Sequence, residues 1–182
     1  MNRSFLAGSV DFPLVITPCA STSLSTFVQH IKSELVWIEK ELLNHGAILF
    51  RGFDIGDPGA FHTVVKHLIS ETTTYTRGVS PRTKVRKNVY TSTDAPKFIP
   101  IPLHCELSYT SSPPPMILFF CNNPPSKGGE TPIADMRAVY HDLDLGVRER
   151  LQTKGLRLIQ NVPGKKGFGL AKTWQEMVGT DD

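Results

Sequence analysis

Apolar residues recur at three- and four-residue steps between Leu24 and Leu43, the pattern of an amphipathic helix. This stripe consists of Phe27, Val28, Ile31, Leu35, Ile38 and Leu42. The tripeptide Asn44-His45-Gly46 follows and provides a helix stop. Residues 47–50, Ala-Ile-Leu-Phe, then form a short apolar run that is typical of a buried strand. The pattern therefore predicts a helix that leads directly into a core strand.

Capping residues mark the start of a second helix. Asp57 provides an N-cap, Pro58 occupies the first helical position, and Phe61, Val64 and Leu68 continue at helical spacing. The periodicity predicts further helices over residues 134–143 and 146–151, and another that begins after the cap residue Thr173. The chain is therefore expected to contain several short helices.

Apolar runs bounded by turn residues predict the strands. Residues 103–109 and 116–121 flank a triple proline at 113–115, which predicts two core strands joined by a rigid turn. Shorter runs predict strands at 89–91 and 156–162, and residues 130–133 predict a short strand or an extended loop. Glycines 128 and 129 are expected to permit the preceding turn. Short strands among helices indicate a β-rich core with helical decoration.

Composition narrows the class of protein. A chain of 182 residues with 40% hydrophobic and 20% charged residues is typical of one soluble globular domain. The net charge of +3 gives no indication of nucleic-acid binding, and the basic residues 82, 84, 86 and 87 are interpreted as a solvated face rather than an anion-binding patch. Three cysteines without CxxC spacing, no signal peptide and no membrane span together predict a cytoplasmic protein.

Candidate chemistry is concentrated at His104 and Glu106. On a strand, residues two apart project from the same face, so both side chains can reach one metal ion. Together they are two of the three ligands of a 2-His-1-carboxylate Fe(II) site, which leaves positions open for a co-substrate and O₂. With 6 histidines and 17 acidic residues, chance alone predicts about 0.6 such pairs, so the spacing needs support from neighbouring motifs.

Three motifs in a fixed order provide that support. They are Pro102-Leu-His-Cys-Glu-Leu-Ser-Tyr-Thr110, residues 113–121 and Gly128-Gly-Glu-Thr-Pro-Ile-Ala-Asp135. Together they resemble the TauD/TfdA-like Fe(II)/2-oxoglutarate-dependent dioxygenases, in particular the clavaminate synthase-like branch, whose first metal motif carries Glu in place of Asp. The resemblance runs from about Leu35 to the end of the chain, and residues 46–53 look like the family's N-terminal core strand.

The resemblance implies roles for individual residues. His104 and Glu106 align with the first two iron ligands, and Thr131 aligns with a threonine that hydrogen-bonds the carboxylate of 2-oxoglutarate. His141 comes too early to match the second iron-binding histidine, and Arg137 is expected to pair locally. The implied activity is hydroxylation or desaturation of a small molecule, coupled to the decarboxylation of 2-oxoglutarate. Fe(II), 2-oxoglutarate and O₂ are the implied cofactor and co-substrates.

One departure from the family affects the expected activity. In the family, the second iron-binding histidine and the arginine that pairs with 2-oxoglutarate lie in the C-terminal part of the jelly roll, and this sequence shows no match to either. We therefore expect residues 1–182 to be a single, C-terminally incomplete domain. Its expected fold is α+β, a double-stranded β-helix (jelly-roll) core with helical decoration that lacks the C-terminal strands.

Several explanations of this departure remain open at the level of sequence. The chain can be a truncated copy or fragment of the dioxygenase, or a half that a partner chain completes in a split or swapped dimer. Alternatively, it is a degenerate homologue or a non-catalytic jelly-roll interaction domain. The identity of the substrate and the oligomeric state are left open, because specificity depends on pocket loops.

Overall fold

The computed structural model describes residues 1–6, 8–9, 11–69, 82–96, 98–110, 112–159, 161–162, 164 and 173–175. The described residues fall into two compact units. The first is drawn from Met1–Thr72 and Phe120–Ser126, and the second from Thr73–Phe119 and Lys127–Asp182. Most of the helix predicted after Thr173 lies outside the described residues.

A three-stranded mixed sheet forms one layer of the first unit. Its strands are β1 (Asn2–Phe5), β2 (Leu14–Thr17) and β3 (Ile48–Phe50), in the order β1-β2-β3. β1 pairs with β2 antiparallel, and β2 pairs with β3 in parallel, so β2 is the central strand. Three consecutive residues of β2 are buried, as expected for a strand covered on both faces.

Two helices cover this unit, and both were predicted by apolar periodicity. Helix α1 (Leu24–His45) begins at Ser23, whose hydroxyl accepts a hydrogen bond from the Thr26 amide, and ends at Gly46 in the left-handed conformation. Helix α2 (Pro58–Leu68) begins at Asp57, whose carboxylate accepts from the backbone amides of the first turn. These capping contacts confirm the predicted starts of both helices and the predicted stop of α1.

The core of the first unit forms between these two helices. Phe27, Ile31 and Ile38 of α1 pack with Val64 of α2, and each of these side chains is at most 5% exposed. Half-buried residues from β3 and the loop after it pack against this cluster. The strand predicted at residues 47–50 is therefore confirmed as β3, although its side chains are half-buried rather than fully buried.

The second unit contains a short hairpin and two short helices. Strands β4 (Lys84–Arg86) and β5 (Val89–Tyr90) pair antiparallel, and the strand predicted at 89–91 is confirmed in β5. Helices α3 (Met136–Asp142) and α4 (Leu145–Lys154) match the predictions over 134–143 and 146–151. The carboxylates of Asp135 and Asp144 accept hydrogen bonds from first-turn amides and define the starts of these helices.

Three of the predicted strands are wrong. Residues 103–105 and 116–121 form loops, residues 106–109 form a turn, and the described residues of 156–162 are irregular. A strand requires a partner for its backbone hydrogen bonds, and within the described residues none of these runs pairs with another segment. Several of their apolar side chains are also exposed, including Leu103 at 60% and Phe119 at 56%. Residues 130–133, for which a short strand or an extended loop was predicted, form an extended loop.

The described residues therefore form a mixed α/β structure with few and short strands. Within them, no helix is both long enough and apolar enough to span a membrane.

Candidate metal centre

The β4–β5 hairpin fixes the backbone next to Arg82. The Thr91 amide donates to the Thr83 carbonyl at 2.9 Å, and the Thr83 amide donates to the Thr91 hydroxyl at 2.8 Å. Both threonine hydroxyls donate to the carboxylate of Asp94, each at 2.7 Å. Asp94 therefore links the two ends of the hairpin, one of which is Thr83, the residue that follows Arg82.

These contacts predict an acid-sensitive hairpin. Hydrogen bonds from the Thr91 and Thr83 hydroxyls hold the pKa of Asp94 below its ordinary value. A carboxyl group whose pKa is lower in the folded state stabilises the fold above its unfolded-state pKa, and this contribution disappears as the pH falls through the folded-state value.

We therefore expect Asp94→Asn to be less stable than the wild type at neutral pH, and this difference to shrink below about pH 4. Urea unfolding of both proteins from pH 7 down to pH 3 measures the difference. A difference that stays constant or grows in acid would show that the carboxylate does not stabilise the hairpin.

A turn in the second unit places the candidate ligands. Glu106 begins this turn, and Leu107 adopts a left-handed conformation with φ of 52°, which reverses the chain immediately after Glu106. The turn is closed by hydrogen bonds from the Ser108 amide to the Cys105 carbonyl at 3.3 Å and from the Thr110 amide to the Leu107 carbonyl at 3.0 Å. The loop and turn, rather than a strand, therefore position His104 and Glu106.

The structure brings the two predicted ligands together. His104 Nε2 lies 3.6 Å from Glu106 Oε2. The histidine side chain is 55% exposed, whereas the glutamate side chain is only 18% exposed. His104 Nδ1 lies 2.8 Å from the Pro102 carbonyl oxygen, which can only accept, so Nδ1 carries the proton and donates. Nε2 is then the ring nitrogen that is available to a metal ion.

This donor pair fits a divalent transition metal. Nitrogen and oxygen ligands bind such an ion at about 2.0–2.2 Å, so two donors of one ion lie at most about 4.3 Å apart. The separation of 3.6 Å satisfies that limit. The hydrogen bond from Nδ1 to a backbone carbonyl is the usual second contact of a metal-binding histidine, because it fixes the tautomer and the ring orientation.

Arg82 is the site residue that the sequence analysis missed. Its Nη2 atom lies 3.2 Å from Oε1 and 3.3 Å from Oε2 of Glu106, and its side chain is 17% exposed. The interpretation of the basic residues as a solvated face holds for Lys84, Arg86 and Lys87, which are exposed, but it is wrong for Arg82. The pairing joins residues 24 positions apart, so no local pattern indicates it.

Thr131 lies on a different loop of the same unit. Two consecutive glycines, Gly128 and Gly129, have φ of 68° and 77°, and so take the left-handed conformations that the predicted turn requires. Thr131 follows them and is exposed. Its hydroxyl makes no hydrogen bond to His104 or Glu106 within the described residues. The structure therefore leaves its predicted contact with 2-oxoglutarate as a prediction.

Arg137 pairs locally, as predicted, at the end of this loop. Its Nε and Nη2 atoms donate to the two carboxylate oxygens of Asp135, both at 3.1 Å. The guanidinium, together with the Arg137 amide, holds the pKa of Asp135 below its ordinary value. Arg137 is thus engaged with the cap of α3. Across the part of the chain that the structure describes, no group of three or more His, Cys, Asp and Glu side chains is placed to hold a metal.

The chain matches a known family model and two curated proteins. Residues 14–180 match the model of the "Taurine catabolism dioxygenase TauD, TfdA family". The chain is 34% identical over 179 residues to the dapdiamide synthesis protein DdaC of Enterobacter agglomerans, which covers 98% of this chain and 52% of DdaC. It is 32% identical over 160 residues to a clavaminate synthase-like protein of Arabidopsis thaliana, with coverage of 85% and 46%.

The chain spans about half the length of these curated relatives. The family match covers most of the chain, and its range contains His104, Glu106, Gly128, Gly129 and Thr131. The chain belongs to the TauD/TfdA dioxygenase family.

Proposed function

We propose that His104 and Glu106 are two iron ligands of an Fe(II)/2-oxoglutarate-dependent dioxygenase that hydroxylates or desaturates a small molecule. The observation that supports this proposal is the distance of 3.6 Å between His104 Nε2 and Glu106 Oε2, in a member of a dioxygenase family. The TauD and clavaminate synthase-like proteins generally depend on Fe(II) and 2-oxoglutarate, which agrees with this donor set.

His104 and Glu106 have different tasks in this proposal. His104 offers a neutral nitrogen, whose direction is fixed by the hydrogen bond from Nδ1 to the Pro102 carbonyl. Glu106 offers negative charge, which offsets part of the charge of a divalent ion, and Arg82 restricts the orientation of its carboxylate. When bound, iron and 2-oxoglutarate supply the oxidising chemistry, while the protein supplies orientation.

Thr131 is proposed to orient the co-substrate. A hydroxyl group can donate one hydrogen bond to a carboxylate oxygen without adding charge to the site. Its exposure on the loop after Gly129 leaves this hydroxyl open to a bound anion. Holding a carboxylate at a second point, away from the metal, reduces the rotational freedom of the co-substrate before reaction.

The scaffold proposed for this chemistry is the jelly roll that the family implies. The relatives' names also favour biosynthesis of a small molecule, since one is a dapdiamide synthesis protein and the other is clavaminate synthase-like. Both relatives are about twice as long as the matched segment, so the activity of the whole enzyme is part of the proposal.

Anaerobic titration of Fe(II) with 2-oxoglutarate tests the proposal. We expect the wild type to develop the weak visible charge-transfer band of a chelated 2-oxo acid, and His104→Ala to lose it. His141→Ala is the matched control, because His141 is also exposed in the second unit but lies on α3. A wild type that develops no band, or a band that persists in His104→Ala, would contradict the proposal. The first of these outcomes would favour a non-catalytic interaction domain.

A further inference from the structure

Arg82 approaches the carboxylate of Glu106 in a particular way. A single nitrogen, Nη2, is almost equally distant from both oxygens, at 3.2 Å and 3.3 Å. Both side chains are less than one fifth exposed, so water screens this contact less than it screens a surface ion pair. The Arg82 guanidinium in this position therefore competes with a metal ion that would contact both oxygens of Glu106 at once.

His104 distinguishes the two carboxylate oxygens. Its Nε2 atom lies 3.6 Å from Oε2, which makes Oε2 the oxygen that can share an ion with the histidine. Both oxygens accept from Arg82 Nη2, at 3.2 Å and 3.3 Å, so the guanidinium occupies the position between them that a metal bound by both oxygens would need. A carboxylate offers about four lone-pair positions, so Oε2 can bind a metal through its other lone pair while Arg82 stays between the two oxygens.

We propose that Arg82 is a positioning residue that keeps Glu106 a one-oxygen metal ligand. Its Nη2 atom occupies the position between the two oxygens, so that the ion beside His104 binds through Oε2 alone. This inference rests on the proposed metal site. It adds that Arg82 controls how many coordination positions of the metal Glu106 occupies. A carboxylate that binds through both oxygens takes one more position, and an Fe(II) site of this type needs its open positions for co-substrate and O₂.

The direction in which metal affinity changes when Arg82 is replaced separates this role from a purely structural one. If Arg82 only supported the fold of the loop, its loss would weaken metal binding. In the proposed role, its loss frees the position between the two oxygens and removes a positive charge close to the ion. Arg82→Gln is therefore expected to bind a divalent metal more tightly, on the order of tenfold, and to leave one fewer position for water.

Mn(II) is a suitable probe because both its affinity and its hydration can be measured. Electron paramagnetic resonance of free Mn(II) gives the dissociation constant, and water-proton relaxation gives the number of exchanging water molecules on the bound ion. The variants are Arg82→Gln, Arg82→Met, Arg82→Lys and Glu106→Gln. Lys84→Gln is the matched control, because it removes the same charge from an exposed position two residues away.

We expect Arg82→Gln and Arg82→Met to bind Mn(II) more tightly and with one fewer water molecule than the wild type. Arg82→Lys keeps a cation and is expected to retain the wild-type hydration, which also tests the proposal if the neutral variants do not fold. Lys84→Gln is expected to match the wild type in hydration and to change affinity less than about twofold.

Two outcomes overturn the inference at different levels. Unchanged hydration or weaker Mn(II) binding in the neutral Arg82 variants would overturn the role of Arg82 and leave the metal site intact. Equal Mn(II) binding by the wild type and Glu106→Gln would overturn the metal site itself, and with it the proposed function.

Discussion

Phe27→Ala is expected to lower the free energy of unfolding of the first unit by about 3–5 kcal/mol. Phe27 is 1% exposed and belongs to the core cluster between α1 and α2. Its ring stacks on Phe53 with a centroid distance of 4.0 Å, and approaches Phe50 in a tilted arrangement at 5.2 Å. Alanine removes these contacts as well as the transfer free energy of the ring, and leaves a cavity that the two helices fill only in part.

Urea unfolding followed by the circular dichroism of the helices measures this loss. Val36→Ala is the matched control, because Val36 lies on the same helix but is 81% exposed. We expect this control to change the stability by less than about 0.5 kcal/mol. Similar losses in both variants would show that the cluster around Phe27 does not hold the first unit together.

Local signals explain why the helices were predictable. In α1 the apolar stripe, the Ser23 cap and the Gly46 stop all lie within one continuous segment. The same holds for α2, where Asp57 and Pro58 immediately precede the apolar positions. Periodicity and capping depend on neighbours three or four residues away, so they are visible in the sequence before any tertiary contact is known.

Strands depend on partners that the sequence does not identify. β2 has only four residues, and it pairs with β3 more than thirty positions later in the chain. Neither β1 nor β2 was predicted, although Leu14, Val15 and Ile16 form a short apolar run. Conversely, residues 103–109 and 116–121 have strand composition but no pairing partner among the described residues. Composition therefore indicates strand tendency, whereas pairing decides the outcome.

The candidate site shows the same division between local and distant information. His104 and Glu106 were predicted because they lie within one short motif, and the structure brings their donor atoms within 3.6 Å. The stated reason, a shared strand face, was wrong, since a loop and a turn place them. Arg82 was missed because it lies in a run of basic residues, and only the folded chain separates it from exposed neighbours such as Lys84.

Glu106→Ala is expected to weaken divalent metal binding by more than about a hundredfold. Partners that only orient a ligand contribute about 10–100-fold to metal affinity, and a ligand that contacts the ion contributes more. Glu106 supplies the negative charge of the predicted pair, whereas a histidine binds a metal ion as the uncharged imidazole. The substitution also leaves the positive charge of Arg82 next to the site, which repels the ion.

Titration with Co(II), followed by its visible absorption and by calorimetry, measures this loss. Glu149→Ala is the matched control, because Glu149 is an exposed acidic residue on α4 in the same unit, and its removal changes the net charge equally. Glu106→Asp keeps the negative charge but shortens the side chain by one methylene. We therefore expect its Co(II) affinity to lie between those of the wild type and Glu106→Ala. If Glu106→Ala and Glu149→Ala lost affinity to the same extent, net charge rather than coordination would explain Co(II) binding. If only the Glu106 variants lost Co(II) affinity, and Glu106→Ala lost more than Glu106→Asp, the carboxylate would have to contact the ion.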